Sequence, residues 1–424
     1  MPSPVPTPHP RGPLAGYRVL DLADEKGQFG TRLLGELGAD VIKIEQPREG
    51  DPVRRTGPFY RGEEGPETSI AWWALNAGKR SVTCQLRLEA GRQLLHRLVA
   101  TSDIVVETNP PGKAVELGLD YATLSNVNPG VILVSVTNFG QTGPYKDYLA
   151  TDLTGAAMGG MMFLNGDDEH GPVRTTAPQA YTQVNTQAMV GAMTALFARG
   201  TNGGVGQHVD VSMQEAAANA LDNASATWDL LGVNNRGPGL RRMVGGNIGA
   251  RYLYETADGW LAALSAGGLF GPNANTLIDW LDEYGEAGEL VQPGWRDRLS
   301  SMMPIAPEEL LYLEERFAAF CARGKKLDLV AEAQRRGLGW APVQSPSELA
   351  ECEQLGARGF WTTVHHDDLD ASFTYPGAPW KLSATPWTQR GRAPHVGEHN
   401  ADVYGELLGL DEAELRRLRM RMVI

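Results

Sequence analysis

Cysteine is scarce. Cys84, Cys321 and Cys352 are the only three in 424 residues, too few and too far apart for a disulfide framework, and their spacing matches no metal-ligand set. They point to a reducing compartment, and the cytoplasm is the expected location. Positive charge is also short: 38 Lys and Arg against 51 Asp and Glu leave a net charge of −13. Such a chain repels phosphate backbones and anionic lipid, so neither nucleic acid nor a membrane is expected as a partner. No apolar run approaches the roughly 18 residues that cross a bilayer. The opening MPSPVPTPHP lacks the charged and apolar regions of a signal peptide. Residues 1–11 are proline-rich and are expected to form a flexible leader.

Several catalytic signatures are missing too. There is no G-x-S-x-G, no H-E-x-x-H and no P-loop. After Leu22 the chain reads Ala23-Asp24-Glu25-Lys26-Gly27-Gln28-Phe29-Gly30, which holds a lone G-x-x-G. A pyrophosphate needs G-x-G-x-x-G for close backbone approach, and two acids ahead of the helix would repel it. A nicotinamide or flavin site is therefore not expected. His365-His366-Asp367-Asp368 could suggest a metal, but adjacent histidines on a polar stretch are expected to be a solvated loop.

What is present is alternation of strands and helices. The pattern predicts strands at Tyr17–Leu22, Val41–Glu45, Ser81–Leu86, Ile104–Glu107 and Val131–Val136. Helices are predicted at Gly27–Leu37, with Leu33, Leu34 and Leu37 on one stripe, at Glu89–Ala100, and around Tyr121–Leu124. This is an α/β chain with a large Rossmann-like domain built on a mostly parallel sheet. Ligands in such folds sit at the carboxyl ends of the strands. A long helix from about Thr182 follows, with Met189, Met193, Leu196 and Phe197 on one face, then a glycine stop at Gly203-Gly204-Val205-Gly206 and a strand at Gln207–Val211. Past Ala216 the periodicity changes, and a boundary is expected near Leu221–Gly239. A small α/β domain then spans 221–337, with a hairpin around Thr256-Ala257-Asp258 and helices from Asn275 and Pro307. The segment 338–424 is expected to return to the large domain, whose first part is 1–220.

The stretch GQHVDVSMQEA, behind its helix and glycine stop, resembles the class III (CaiB/BaiF-type) CoA-transferases. The ordered set of pieces strengthens the resemblance. It includes Gly12–Asp21, Leu37–Glu45, Asn76–Ser81, Asp103–Glu107 with Pro111-Gly112, Asn128-Pro129 and Gly140–Pro144. Near the other end come Gly339–Ser345, Pro376–Pro379 and Gly397–Asn400. The resemblance implies a CoA thioester as substrate with no permanently bound cofactor, and CoA transfer between an acyl-CoA such as succinyl-CoA and a carboxylic acid. It also implies two chains threaded as interlocked rings. The loop Gly245-Gly246-Asn247-Ile248-Gly249 stands where related enzymes carry a glycine loop over the reacting acyl group.

In that family an aspartate at the mouth of the long helix attacks the acyl-CoA, and here the position is Tyr181. Transfer through a carboxylate nucleophile needs a carbonyl carbon that can hold the acyl group and then CoA. A phenol has none, so double displacement is closed to Tyr181. Charge is missing as well: Gln46, Glu116 and Leu149 stand where relatives often carry cations near CoA. Lys43, Lys79 and Arg80 remain, and with Gly245, Gly246, Asn247 and Gly249 they are the candidate CoA-binding residues. A racemase branch uses a His-Asp pair that reads Thr151-Asp152 here. Asp152 survives as a weak catalytic alternative, with a helix N-cap as the favoured role. His208 and His399 are expected to be structural hydrogen-bonders.

Because the family includes heteromeric enzymes of the benzylsuccinate CoA-transferase type, in which one subunit lacks the aspartate, the chain is expected to pair with a catalytic paralogue in a heterodimer or heterotetramer. Two alternatives stay open: a homodimeric CoA-transferase or 2-methylacyl-CoA racemase-like isomerase using Asp152 or Glu25, and a CoA-ester binding protein without turnover.

Overall fold

The computed structural model describes residues 12–167, 171–221, 224–235, 239–244, 247–263, 273–300 and 306–424. The chain divides into two compact units. The first comprises Met1–Gly159, Thr176–Ala220 and Gln354–Ile424, and the second Gly160–Thr175 and Leu221–Glu353.

Six parallel strands form the sheet of the first unit: β1 (Arg18–Leu22), β2 (Asp40–Glu45), β3 (Arg80–Thr83), β4 (Ile104–Glu107), β5 (Ile132–Thr137) and β6 (His208–Ser212). Their order is β3-β2-β1-β4-β5-β6, with pairings such as Leu20↔Ile42, Leu20↔Val105 and Val134↔Val209. The chain winds outward from β1 in one direction and then, from β4, in the other. Between β1 and β4 lies the topological switch point where doubly wound sheets open a crevice. The sequence pattern placed these strands because a parallel sheet buried on both faces needs continuous apolar runs.

One face of the sheet packs Leu20, Ile42, Val82, Val105 and Leu133 against α3 (Glu89–Val99) and Leu124 of the helix Tyr121–Val127. Val403 and Tyr404 of the helix Asn400–Leu408 complete that core. The other face carries α1 (Glu25–Glu36) and the long helix α7 (Gln179–Thr201). The helices α2 (Ile70–Asn76), α4 (Lys113–Leu117), α5 (Tyr121–Val127) and α6 (Asp152–Met158) also lie between them in the chain.

Helix α7 corrects the sequence reading. Its buried face is Ala180, Val184, Asn185, Ala188, Met189, Ala192 and Ala195, while Phe197 is 78% exposed and Met193 and Leu196 are only partly covered. Of the four large residues predicted to share the packed face, Met189 is the one that is buried. Alanines make up most of that side, because α7 lies close on both α1 and β6: a Cβ on Gly30 of α1 would sit 2.8 Å from Met189 Cε, and one on Gly191 of α7 2.7 Å from Val209 Cγ1 of β6.

In the second unit the hairpin strands Leu253–Thr256 and Gly259–Ala263 pair antiparallel around Thr256↔Gly259. Tyr254, Leu277, Trp280, Phe317, Phe320 and Trp340 form its core. The return from this unit comes later than the expected Leu338. Trp340–Pro342 adds a third strand to the hairpin through Leu261↔Pro342, and Leu338 is buried in that core, so the chain re-enters the first unit only at Gln354. Among the described residues no helix is long and apolar enough to cross a membrane, and no group of three or more His, Cys, Asp or Glu could hold a metal.

Candidate functional site

Helix α1 begins where β1 ends, at the switch point. Asp24 caps it by accepting the Lys26 N–H at 3.0 Å, and the Asp24 N–H donates to Thr108 Oγ1, just beyond β4, at 2.9 Å. This ties the turn Ala23–Lys26 across the crevice. Beneath the turn six side chains close a buried ring. Asp21 Oδ2 meets Lys79 Nζ at 2.8 Å, Lys79 meets Asn76 Oδ1 at 2.8 Å, and Asn76 Nδ2 donates to Gln28 Oε1 at 2.9 Å. Gln28 Nε2 donates to Asp51 at 2.8 Å, Asp51 faces Lys43 Nζ at 2.9 Å, and Lys43 faces Asp21 at 3.5 Å. The Ala23 carbonyl accepts from both Lys43 and Gln28, so the ring holds the turn that carries Glu25.

The electrostatics follow from this enclosure. Burial opposes charge on Asp21, but the ammonium groups of Lys43 and Lys79 hold its pKa down at about 2. Burial works against Lys43 too, yet Asp21 and Asp51 on either side keep it above the usual lysine range. Lys79 has one carboxylate and a neighbouring cation, so burial wins and lowers it to about 8. Glu107, at the end of β4, is fully buried, and burial pushes its carboxyl up while Oε2 accepts the Asn109 backbone and side-chain N–H groups, each at 2.8 Å.

Helix α7 brings Tyr181 to this turn. The Tyr181 N–H donates to Asp152 Oδ1 at 3.1 Å, and its phenol lies within the electrostatic reach of Glu25 and Asp24. One turn further, Asn185 locks the two helices together. Its Oδ1 accepts the Gly30 N–H at 2.8 Å, and its Nδ2 donates to the carbonyls of Tyr181 at 2.8 Å and Glu25 at 3.2 Å. Burial and the neighbouring acids Glu25 and Asp24 raise the Tyr181 phenol well above the usual tyrosine range. Burial, then Asp24, push Glu25 up against the pull of the Tyr181 hydroxyl.

The candidates scatter. Tyr181 and Asp152 meet, but the capping role falls differently from the expectation: Thr151 is the N-cap of the helix Asp152–Met158, and the Asp152 carboxylate instead serves the first turn of α7. Lys43 and Lys79, expected to face CoA, are 1% and 3% exposed and spent inside the ring. A phosphate could reach neither without breaking it. Arg80 is bonded to Asp40 at 2.7 Å and Glu406 at 3.0 Å on the outer edge of β3. Gly245 and Gly246 lie outside the described residues. Asn247 and Gly249 lie in the strand Asn247–Arg251, paired with Arg241–Val244, so this part of the expected loop is hairpin.

Of the replaced cation positions, Gln46 is exposed, Leu149 is 91% exposed and Glu116 forms a surface pair with Lys113. His365 and His366 are not in a solvated loop. They end the strand Trp361–His366, and His366 is buried 4.5 Å from the Trp73 ring with Nε2 3.0 Å from the Tyr375 hydroxyl. His208 meets Ser135 Oγ at 3.0 Å, and His399 Nδ1 accepts the Ser81 N–H at 3.2 Å.

Sequence reasoning passed over Asn185 and Gln28. Asn185 had a signal, being a polar residue four positions after Tyr181 on the side that α1 covers. The partners of Gln28 are 23 and 48 residues away and had none.

Known proteins are similar to this chain over nearly its whole length. Residues 14–400 match the family model described as CoA-transferase family III. The chain is 36% identical over 399 residues to succinyl-CoA:(R)-benzylsuccinate CoA-transferase subunit BbsE of Thauera aromatica, covering 92% of this chain and 93% of that one. It is 32% identical over 422 residues to succinyl-CoA–D-citramalate CoA-transferase of Chloroflexus aurantiacus, covering 98% and 99%. Among solved structures, a CAIB/BAIF family protein from Brucella suis superposes with a TM-score of 0.78 at 27% identity, covering 94% of this chain and 100% of that one.

Proposed function

The chain belongs to CoA-transferase family III, and from that premise we propose that it is the subunit of a CoA-transferase whose paralogous partner supplies the nucleophile. The reaction moves CoA from an acyl-CoA, with succinyl-CoA the favoured donor because the named relatives use it, to a carboxylic acid. In the nucleophilic subunit a carboxylate oxygen attacks the acyl carbonyl and CoA thiolate leaves, forming a mixed anhydride. The thiolate then attacks the enzyme's own carboxyl carbon, and the donor's carboxylate departs. The incoming acid repeats the two steps in reverse order. No proton or electron is consumed.

One observation carries the reading for this chain: the residue at the mouth of α7 is a phenol, which burial and the neighbouring acids raise in pKa rather than activate. A phenol could accept an acyl group but offers CoA no carbonyl carbon. The Thauera relative is itself named a subunit. Apolar surface in the first unit, including Leu149, Leu153, Val190 and Phe197, is left open, as a chain built to assemble would leave it. We take the assembly to be the interlocked form, with the partner or a second copy threaded through the chain. The contribution of this chain is to complete the fold and to wall the acid pocket from the side of Tyr181.

The test is direct. The chain purified alone and given succinyl-CoA with a panel of carboxylic acids should transfer no CoA, and co-expression with an aspartate-bearing paralogue should restore activity. Robust transfer by the chain alone would overturn the reading.

A further inference from the structure

Away from the switch point, a groove of about 520 Å³ lies between α3 and the helix Glu412–Met420. Residues 90, 93, 94 and 97 of α3 line one side and residues 414, 417, 418 and 421 the other. On each helix that is the three-and-four spacing of a single stripe. The floor is aliphatic. Leu94 is buried, and Ala90, Leu410 and Leu418 pack on the same core while staying partly open. Met420, 77% exposed, is a flexible apolar side chain beside them. Among the described residues no aromatic ring lines the groove.

The rim is positively charged. Arg97 donates to the Leu408 carbonyl at 2.7 Å, Arg417 stays 3.9 Å from Glu414, and the Arg421 side chain has no partner among the described residues. The run from Glu412 to Arg421 holds four arginines against two glutamates, and Arg416 takes Glu412 at 2.6 Å. Arginines at a helix C-terminus complement its dipole. That dipole amounts to about half a charge, so most of the surplus is left unanswered. The surplus is local, since the whole chain has a net charge of −13.

We propose that this groove binds an aliphatic carboxylate of medium chain length, at a site separate from the one at the switch point. The alkyl chain lies on Leu94, Leu410 and Leu418, and the carboxylate meets Arg417 and Arg421. Guanidinium groups suit that head, because they can engage it through two parallel N–H bonds. A free phosphate would leave the apolar floor unused, and a nucleobase would find no ring to stack on. A protein partner needs more surface: standard interfaces engage about 20–30 residues a side, whereas ten residues line this groove. Its volume falls within the range of small-molecule pockets, about 300–1,000 Å³.

Isothermal titration calorimetry of the full-length chain with hexanoate, octanoate and decanoate, each below its micelle concentration, tests the site. Affinity should rise with length, by up to about fourfold for each CH₂ that reaches the floor. Decanoate should bind roughly tenfold or more tighter than decanol, and Arg417→Glu/Arg421→Glu should weaken decanoate by a similar factor. Both arginines are exposed, and an unchanged melting midpoint checks that the variant is folded. Arg55→Glu/Arg335→Glu makes the same change in net charge at exposed positions elsewhere and should leave binding as it was.

Equal affinity of wild type and Arg417→Glu/Arg421→Glu for decanoate would place the ligand elsewhere, such as the acid pocket, and overturn the inference. So would the absence of saturable binding. A groove that takes an amphipathic Leu/Glu peptide but no decanoate is a protein-docking surface, and that result overturns it as well. None of these outcomes bears on the subunit reading, which the transfer assay tests separately.

Discussion

Lys79→Met tests whether the buried ring is structure or a remnant of a phosphate site. In the structure Lys79 Nζ is surrounded by Asp21 Oδ2 and Asn76 Oδ1 at 2.8 Å and by Thr31 Oγ1 and the Gln28 carbonyl at 2.9 Å. Methionine keeps the length of the side chain and removes every donor. Of the two ammonium groups beside it, Asp21 would then keep Lys43 alone, at 3.5 Å, together with the neutral donors Thr31 Oγ1 at 2.6 Å and the Ala23 N–H at 2.9 Å. Breaking a buried ion pair by removing one partner typically costs about 3–5 kcal/mol, since the other charge stays uncompensated. At about 2–4 °C per kcal/mol for a unit of this order, the melting midpoint should fall by roughly 6–20 °C. The double variant Asp21→Asn/Lys79→Met removes both charges and should recover a substantial part of that loss. Differential scanning calorimetry of the three variants reads the effect. A lysine kept for CoA phosphate predicts the opposite pattern: an unchanged midpoint and a weaker, salt-dependent affinity for CoA. A drop below about 2 °C for Lys79→Met would refute the structural reasoning.

The same structure carries four further expectations. Asp21, held at about 2 in the fold, contributes stability that is fully present above the ordinary aspartate pKa and is lost as pH falls from about 4 toward 2. The contribution is on the order of 2 kcal/mol, and acid unfolding of wild type against Asp21→Asn should show a steep limb only in the former. For the buried His366, whose pKa burial lowers, the unfolded chain binds the proton more readily. Stability should therefore decline as pH falls through about 6.5, and the decline should flatten in His366→Leu by urea midpoints at pH 5 and 7. Asn185→Ala strands the Gly30 N–H between α1 and α7 and should cost about 1–3 kcal/mol in urea unfolding. Two glycines should behave oppositely to alanine. At Gly206 a Cβ would fall 1.9 Å from the Val131 carbonyl oxygen, so Gly206→Ala should lower the midpoint by the equivalent of about 1–3 kcal/mol or more. At Gly200, within α7, nothing lies within 4 Å, and Gly200→Ala should stabilise by about 0.5–1 kcal/mol.

The parallel sheet was legible because burial on both faces leaves a written trace: Ile104–Glu107 and Ile132–Thr137 stand out as apolar runs whatever their neighbours are. The position of Tyr181 was legible for a similar reason, since α7, its glycine stop and β6 follow one another in sequence. Legibility ended where meaning depends on a distant partner. Lys43 and Lys79 read as free cations because Asp21 lies 22 and 58 residues away from them, and only the winding of β1, β2 and β3 makes them neighbours. Periodicity also misled on α7, where alanines rather than the larger Met193, Leu196 and Phe197 mark the close-packed side. Hydrophobicity measures what a residue gains by burial, whereas a helix in tight contact is selected for what lets the backbones approach. Gln28 shows the first failure most plainly. An amide near the start of a helix is ordinary, and nothing in the sequence distinguishes it from a glutamine facing water. It becomes part of the support beneath the turn only because the fold delivers Asp51 and Asn76 to the same place.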